Sequence, residues 1–222
     1  MSVPSQPGFA WAASVVALLA MRILVAGCDS SGSSSRPHSA SSDSTAAETL
    51  TDSLAELRSR PVRVPSTLPR GVNCTQPGAA VARQIPGVHA EAALGTGPAY
   101  VESRGIPRIW YFNQRRSGWR RAVVLWIMDP SYRGPILVRG AAVHSNLPLG
   151  FGRSRTPPRA LTLTAPRWRH RLPNGIWGQP IRLQRGWRAS PGVVRVRRRG
   201  CYFLQVDGTT FSETITFFAV VG

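Results

Sequence analysis

Short apolar runs alternate with glycine and proline from residue 74 to the C-terminus. Each run is rich in Val, Ile, Trp or Phe and shows no helical period, a pattern typical of β-strands bounded by turns. The runs predict strands at residues 99–103, 108–113, 121–128, 135–143, 160–165, 180–184, 192–197, 201–206 and 214–220. Short strands without intervening helices favour an all-β fold, and we expect a single immunoglobulin-like β-sandwich over residues 74–222.

Two connections between these strands carry clear turn residues. The segment 128–135, MDPSYRGP, predicts a tight reversal because proline fixes φ and glycine permits positive φ. Asp207-Gly208 is a strong hairpin signal between the last two strands, which assigns Asp207 to a turn. In the strand that ends at Arg197, valines face one side while Arg195 and Arg197 face the other, so this strand presents core and cationic surface together.

The N-terminus carries an apolar run, residues 9–27, which is interrupted only by Arg22 and followed at once by Cys28. A short apolar segment that ends in small residues is the pattern of a secretory signal. Val25 to Cys28 resembles the lipobox of bacterial lipoproteins, in which the cysteine is lipidated and becomes the new N-terminus. We expect residues 1–27 to be a signal peptide, and the mature chain to lie outside the cytoplasm, anchored to the cell membrane by a lipid on Cys28. The alternative is an uncleaved anchor, because a run of this length can just cross a bilayer.

Residues 28–73 are mostly small, polar or proline. Such a segment has too few apolar side chains to form a core, and we expect a disordered Ser/Pro-rich tether between the anchor and the β domain. Leu50, Leu54 and Leu57 recur at helical spacing, which predicts a short helix at about residues 46–58. The alternative for this stretch is a transient turn of helix within the tether.

The chain has three cysteines, and the lipobox interpretation uses Cys28. Cys74 and Cys201 then remain as an even pair in an oxidising compartment, which favours a disulfide over two free thiols. Neither has a second cysteine or a histidine within five residues, and the four histidines, at 38, 89, 144 and 170, are scattered. The spacing of a zinc site is therefore absent from the sequence, and we expect neither a metal nor an organic cofactor.

The β domain is strongly basic, with 22 arginines against 5 acidic residues between 74 and 222, a net charge of +17. Such an excess attracts polyanions, and outside the cytoplasm these are anionic lipid headgroups, wall polymers and acidic polysaccharide. Export argues against nucleic acid other than extracellular DNA. Arginine recurs beside tryptophan, either to bind ligands by stacking or to cover packed tryptophans. The candidate anion-binding residues are Arg120, Arg121, Arg167, Arg169, Arg195, Arg197, Arg198, Arg199, Trp119, Trp168 and Trp187.

Catalytic patterns are weak. The sequence has no Gly-x-Ser-x-Gly nucleophile turn, so no catalytic residue is assigned. A glycosidase pair has to come from the domain's acidic residues, which are Glu91, Glu102, Asp129, Asp207 and Glu213. We expect a non-catalytic envelope protein that binds anionic envelope components or has a structural role. The rival hypothesis is a cell-wall glycan hydrolase with Glu213 or Glu102 as the acid.

Two segments, 121–140 and 198–217, together resemble a group of uncharacterised bacterial proteins that are secreted or lipid-anchored. In 121–140 the shared pattern is a Trp-containing strand, a Tyr-x-Gly-Pro turn and an Arg-Gly. In 198–217 it is Gly-Cys-Tyr followed by Gln-Val-Asp-Gly. The resemblance implies an export signal and a β domain, and it brings no established activity with it.

Overall fold

The part of the chain that the structure describes is mostly β-structure. The computed structural model describes residues 42–65, 74, 85, 93–103, 109–116, 118–172 and 180–222. These contain one α-helix, α1 (Ser42–Ser59). The strands are β1 (Ala99–Ser103), β2 (Ile109–Arg116), β3 (Trp119–Met128), β4 (Ile136–Ala142), β5 (Gly150–Phe151), β6 (Ala160–Leu163), β7 (Arg171–Leu172), β8 (Ile181–Arg182), β9 (Arg188–Val196), β10 (Gly200–Gly208) and β11 (Ser212–Val221).

Nine of the strands form one continuous sheet in the order β5-β9-β3-β2-β11-β10-β4-β6, with β1 also paired to β3. Its two end strands, β5 and β6, contact each other, and Phe151 N donates a hydrogen bond to Pro158 O between them. The sheet therefore curls into a near-closed barrel. The all-β prediction is confirmed. The immunoglobulin-like sandwich is not, because eight of the nine strands follow one hydrogen-bonded path, with β1 paired beside it, instead of forming two facing sheets.

Each of the predicted strands is present, with ends displaced by a few residues. Sequence reasoning missed two strands, β5 and β7, which have two residues each and carry no apolar run. Pairing with Arg195 and Val194 of β9 defines β5, and pairing with β8 defines β7. Their strand structure thus comes from a partner rather than from local sequence.

The barrel interior is filled by alternate side chains of the strands, as expected for a pleated sheet with one buried face. On β11, Ile215, Phe217 and Ala219 belong to this core. Trp110 of β2 stacks on the Phe217 ring with centroids 4.0 Å apart. Tyr202 of β10 stacks on the same ring from another side, at 5.7 Å. Aromatic packing thus ties three neighbouring strands together at the barrel centre.

Smaller apolar clusters lie outside the barrel. Tyr100 and Leu125 face away from the interior and pack with Leu183, which follows β8. Cys74 and Cys201 form the predicted disulfide, with Cα atoms 5.6 Å apart, and pack against Phe218 of β11. The disulfide joins positions 127 residues apart and fixes the segment that precedes the β domain to the start of β10.

The expected helix at 46–58 is present as α1. It packs on the β domain and is not part of a disordered linker. Leu57 is fully buried, and the helix and the barrel belong to one compact unit. The tether prediction for 28–73 is therefore wrong over residues 42–65. Residues 28–41 and 66–73 lie outside the described residues.

The extended segment after α1 is fixed by polar contacts with the outer face of β4 and β10. Arg60 donates to Gly208 O at 2.8 Å, and its own carbonyl accepts a 2.7 Å hydrogen bond from Arg139. Gln205 holds the next residues, donating to Pro61 O at 3.1 Å and accepting from the Arg63 backbone N–H at 2.7 Å. We call residues 60–63 the docked strap. The residues that bind the docked strap are distant in sequence, and the strap itself has few apolar side chains. The sequence therefore gave no sign that this segment packs on the barrel.

The turn expected at 128–135 is a longer connection. It joins β3 to β4, which are not neighbours in the sheet, and so it crosses the barrel end instead of reversing a hairpin. Asp129 Oδ1 accepts a 2.8 Å bond from Ser131 N, as expected for a turn residue. Tyr132 is buried there, and its hydroxyl donates to Pro135 O at 2.6 Å.

Candidate anion-binding site at one end of the barrel

The connection between β9 and β10 crosses the other barrel end. In the sheet these strands are separated by β3, β2 and β11, which amounts to about 19 Å if the sheet is flat. Only residues 197–199 join Val196 to Gly200, and four Cα steps reach at most about 14 Å. The connection is therefore a chord across the open end of the curled sheet. The hydroxyl of Tyr202, a core residue, donates a 2.9 Å hydrogen bond to the Arg198 carbonyl and holds the chord in place.

Two of the three arginines on this chord are held by aromatic rings. The Arg197 guanidinium lies 4.4 Å from the centroid of the Trp119 ring, and that of Arg199 lies 5.3 Å from the centroid of the Phe218 ring. Both are cation-π contacts, which orient a guanidinium while leaving its N–H donors available. All three chord arginines are exposed to solvent.

The ends of β3 and β9 add further arginines next to the chord. Their antiparallel register places Arg121 opposite Arg195 and Arg120 opposite Val196. Arg195 is buried, and its Nε donates to Gly152 O at 2.8 Å. Like charges placed directly opposite one another destabilise a sheet. We call this site the basic mouth; it consists of Trp119, Arg120, Arg121, Arg195, Arg197, Arg198 and Arg199.

The other four predicted binding residues lie at the opposite barrel end. Arg169 forms a β-bridge with Ala189, six positions before Arg195 on β9, which is about 20 Å along the strand. Arg167 and Trp168 adjoin Arg169 in sequence, and Trp187 precedes β9 directly. The structure thus brings seven of the eleven predicted residues together, and it does not unite them all in one surface.

The predicted tryptophans pack inside the structure and do not form an exposed binding surface. Trp119 and Trp168 are only 9% and 6% exposed, so stacking of a ligand on their faces is excluded, and arginines cover them instead. Arg188 lies over the Trp168 ring with its Cζ 5.6 Å from the ring centroid. Trp187 is partly buried and lies 6.1 Å from the Tyr100 ring. Of the two hypotheses for the Arg-Trp neighbours, packing under arginine is the correct one for Trp119 and Trp168.

Four of the six basic-mouth arginines, Arg195 and the three chord arginines, lie within a long stretch of chain that has no acidic residue. Between Pro130 and Val206 the sequence contains fifteen arginines and no Asp or Glu. The ion pairs formed between described residues include Arg60–Glu56 and Arg139–Asp207, and neither involves a chord arginine. The excess of positive charge in this stretch favours the binding of an external polyanion.

Two acidic residues of the β domain have strongly perturbed titration. Burial raises the pKa of the Glu102 carboxyl from 4.5 to about 7. It raises the pKa of Glu213 to about 7 as well, although Thr96 N and Oγ1 donate to Glu213 Oε2 at 2.8 and 3.0 Å. Each carboxyl also has a buried oxygen without a hydrogen-bond partner in the described structure.

A pKa near 7 suits a general acid, but the positions of these two residues do not supply a glycosidase pair. Glu102 alternates with Val101, which faces the barrel core, and therefore points outward. Glu213 has the same orientation as Ile215 and points toward the core side. The two carboxyls thus leave the sheet on opposite faces. Glu91, another candidate, lies outside the described residues.

The assignment of Asp207 to a turn is wrong. Asp207 pairs with Ser212 inside the β10–β11 hairpin, and the turn proper follows it. Its side chain is fully buried and accepts hydrogen bonds from Arg139 at 2.7 Å, Gln205 at 3.0 Å and Ser212 Oγ at 2.7 Å. The Asp-Gly pattern located the hairpin correctly; the buried ion pair depends on β4, which the pattern does not contain.

Other predicted features lie outside the described residues, namely Cys28, His38 and His89. Among the residues that the structure describes, no three His, Cys, Asp or Glu side chains cluster to hold a metal ion. Within the same residues, no helix is both long enough and apolar enough to span a membrane.

Comparison with known proteins assigns no activity: no family model matches the chain, and no curated protein matches its sequence. A fold by itself does not define a function, since function resides in particular sites. The basic mouth combines two guanidinium groups held by aromatic rings with an excess of positive charge.

Proposed function

We propose that this protein is an exported, lipid-anchored envelope protein that binds polyanions of the cell envelope without catalysis, and that the basic mouth is its binding site. The single observation that carries the proposal is the gathering of six arginines at one barrel end, four of them in a stretch of chain with no acidic residue. The lipobox-like Val25 to Cys28 and the resemblance to lipid-anchored bacterial proteins support the location. The disulfide between Cys74 and Cys201 is consistent with an oxidising compartment.

The arrangement of the arginines supports binding rather than a purely structural role. An arginine with a structural role normally donates its hydrogen bonds to a carboxylate or to several backbone carbonyls. Arg139, for example, donates to Asp207 and to the Arg60 carbonyl. Arg197 and Arg199 are instead held through their flat faces. Such contacts leave the edge of each guanidinium, where its N–H groups are, directed at an incoming anion.

Titration of the purified full-length chain with labelled dextran sulfate, a generic polyanion, tests the proposal against neutral dextran. We expect the logarithm of the affinity for dextran sulfate to fall linearly as the logarithm of the salt concentration rises, and neutral dextran not to bind. The variant R120Q/R121Q/R198Q should bind less tightly. The control R167Q/R185Q, which removes exposed arginines at the opposite barrel end, should bind like the wild type. Binding that is independent of salt, or equal losses in the two variants, would overturn the proposal.

A further inference from the structure

We propose that the barrel end opposite the basic mouth holds a separate site, in which Arg188 and Trp168 bind the carboxylate of a small molecule. This site uses no residue of the basic mouth and does not depend on the proposed function. The proposal follows from a buried guanidinium without a counter-ion, from two neighbouring N–H donors without acceptors, and from the apolar side chains around them.

Arg188 places a positive charge inside the barrel. It is the first residue of β9, eight positions before Val196, which pairs with Arg120 of the basic mouth. That separation is about 26 Å along the strand. Because side chains alternate along a strand, Arg188 has the same orientation as Val194, a core residue. Arg188 is only 7% exposed, so its charge lies among core side chains at the barrel end crossed by the β3–β4 connection.

Arg188 has no counter-ion in the part of the chain that the structure describes. Its guanidinium donates a hydrogen bond to the Tyr132 carbonyl, which is neutral, and neither ion pair of the described residues includes it. Burial lowers the pKa of the Arg188 guanidinium, and the positive charge of Arg133 lowers it further, against a smaller opposing effect of Tyr132. A buried charge is tolerated when it is paired and hydrogen-bonded. An anion beside Arg188 meets this requirement.

Two buried donors lie close together without acceptors. Arg188 Nε and Trp168 Nε1 are both buried, and neither has a hydrogen-bond partner in the described structure. The Arg188 Cζ lies 5.6 Å from the centroid of the Trp168 ring. The β-bridge between Arg169 and Ala189, with two hydrogen bonds of 2.8 Å, keeps these side chains adjacent. Because a carboxylate has two accepting oxygens, one such group can serve both donors.

The surroundings favour a small ligand with a single negative charge. Met128, Tyr132 and Trp168 belong to the apolar core, and each further charge buried among them is costly. Arg188 supplies one positive charge, which one carboxylate neutralises, whereas a phosphate monoester brings about −1.5 to −2. A carboxylate also matches the planar fork of a guanidinium. Arg188 and Trp168 are only 7% and 6% exposed, so a polymer does not reach them and a small monocarboxylate is the better fit.

The test follows thermal unfolding of the purified full-length chain in increasing sodium acetate, with sodium chloride keeping the ionic strength constant. A ligand that binds the folded state alone raises the unfolding temperature as its concentration rises. We expect acetate to stabilise the wild type and acetamide, its neutral analogue, not to do so. R188M keeps a long side chain without the charge and should lose the acetate response. The control R185Q, which removes an exposed arginine three positions earlier, should keep it.

The indole N–H signal of Trp168 provides a direct reading of the same site. In proton–nitrogen NMR spectra this signal is identified by its absence from W168F. We expect it to move and saturate as acetate is added to the wild type, and to stay in place in R188M. W168F keeps the Arg188 charge but lacks one donor, so it should bind acetate about tenfold more weakly.

The inference is overturned if acetate and acetamide act alike, if R188M keeps the acetate response, or if the Trp168 signal does not move with acetate. Should R188M fail to fold, W168F takes its place, and an unchanged acetate affinity in W168F then overturns the inference. R120Q/R121Q/R198Q should keep the acetate response. Its loss there assigns acetate to the basic mouth and overturns this inference alone. If acetate binds as expected and dextran sulfate does not bind, the proposed function fails and the Arg188 site stands.

Discussion

Replacing Glu213 by glutamine should change the pH dependence of folding. The Glu213 side chain lies at the start of β11, with one carboxyl oxygen bound by Thr96 and the other buried without a partner in the described structure. Glutamine keeps the shape and an oxygen that accepts the Thr96 bonds, but it carries no charge to bury. The substitution therefore isolates the energetic cost of ionising this buried carboxyl.

The magnitude follows from the pKa. As the pH rises above 4.5, the Glu213 carboxyl of the unfolded chain loses its proton while that of the folded chain keeps it, until the folded carboxyl also ionises near pH 7. The stabilisation that is present below pH 4.5 is therefore lost as the pH rises through about 7. A shift from 4.5 to about 7 corresponds to about 3 kcal/mol, at about 1.4 kcal/mol per unit. The glutamine variant should escape this loss.

Urea unfolding at pH 5 and at pH 8.5 measures the effect. We expect E213Q and the wild type to have similar free energies of unfolding at pH 5, and E213Q to be more stable by up to about 3 kcal/mol at pH 8.5. E102Q should behave in the same direction, because the pKa of Glu102 is raised by the same cause. The control is D52N, which alters an exposed carboxyl on α1. If the difference between E213Q and the wild type is the same at both pH values, the reasoning is refuted.

Three other changes test the described contacts and the anchor. R139A leaves the buried Asp207 without its ion pair and should lower the free energy of unfolding by about 3–5 kcal/mol; a loss below about 1 kcal/mol in urea unfolding would contradict the buried pair. C74S/C201S removes a long covalent loop and should cost about 2–5 kcal/mol, and non-reducing mass spectrometry of the wild type should recover one cross-linked peptide instead of two alkylated thiols. C28A should release the protein from the membrane fraction; unchanged retention, with no lipid mass on the wild type, argues against the lipid anchor.

The strands could be predicted from sequence because their signal is local. β-branched and aromatic residues between turn residues define β3 or β11 without knowledge of any partner. The order of the strands in the sheet is not local. The parallel pairing of β11 with β2, and the chord at 197–199, depend on how far the whole sheet curls, which no stretch of sequence states. A sandwich and a barrel require the same alternation along each strand, so the pattern alone could not separate them.

The candidate site could likewise be predicted from sequence only in part. Charge composition identified arginines as the candidate binding residues, and alternation placed Arg195 and Arg197 on one face of the predicted strand 192–197. Register was needed to bring Arg121 opposite Arg195 and to leave Arg167 at the other barrel end. The docked strap was missed because its contacts are polar and long-range, whereas segments of low apolar content are read from sequence as tethers.

A domain with so many arginines is destabilised by repulsion between its charges. Two contacts hold the chain that leads into the barrel, the docked strap and the Cys74–Cys201 disulfide, and they respond differently to that repulsion. Near the turn of the β10–β11 hairpin, where a carboxylate is present, the chain before the barrel is held by the docked strap over the Arg139–Asp207 pair. Beside the chord, the chain is held by the Cys74–Cys201 disulfide, two residues after Arg199. An exposed ion pair is weakened by salt and by neighbouring charges, but a covalent bond is not. The covalent constraint thus lies next to the chord arginines, where its strength does not depend on salt.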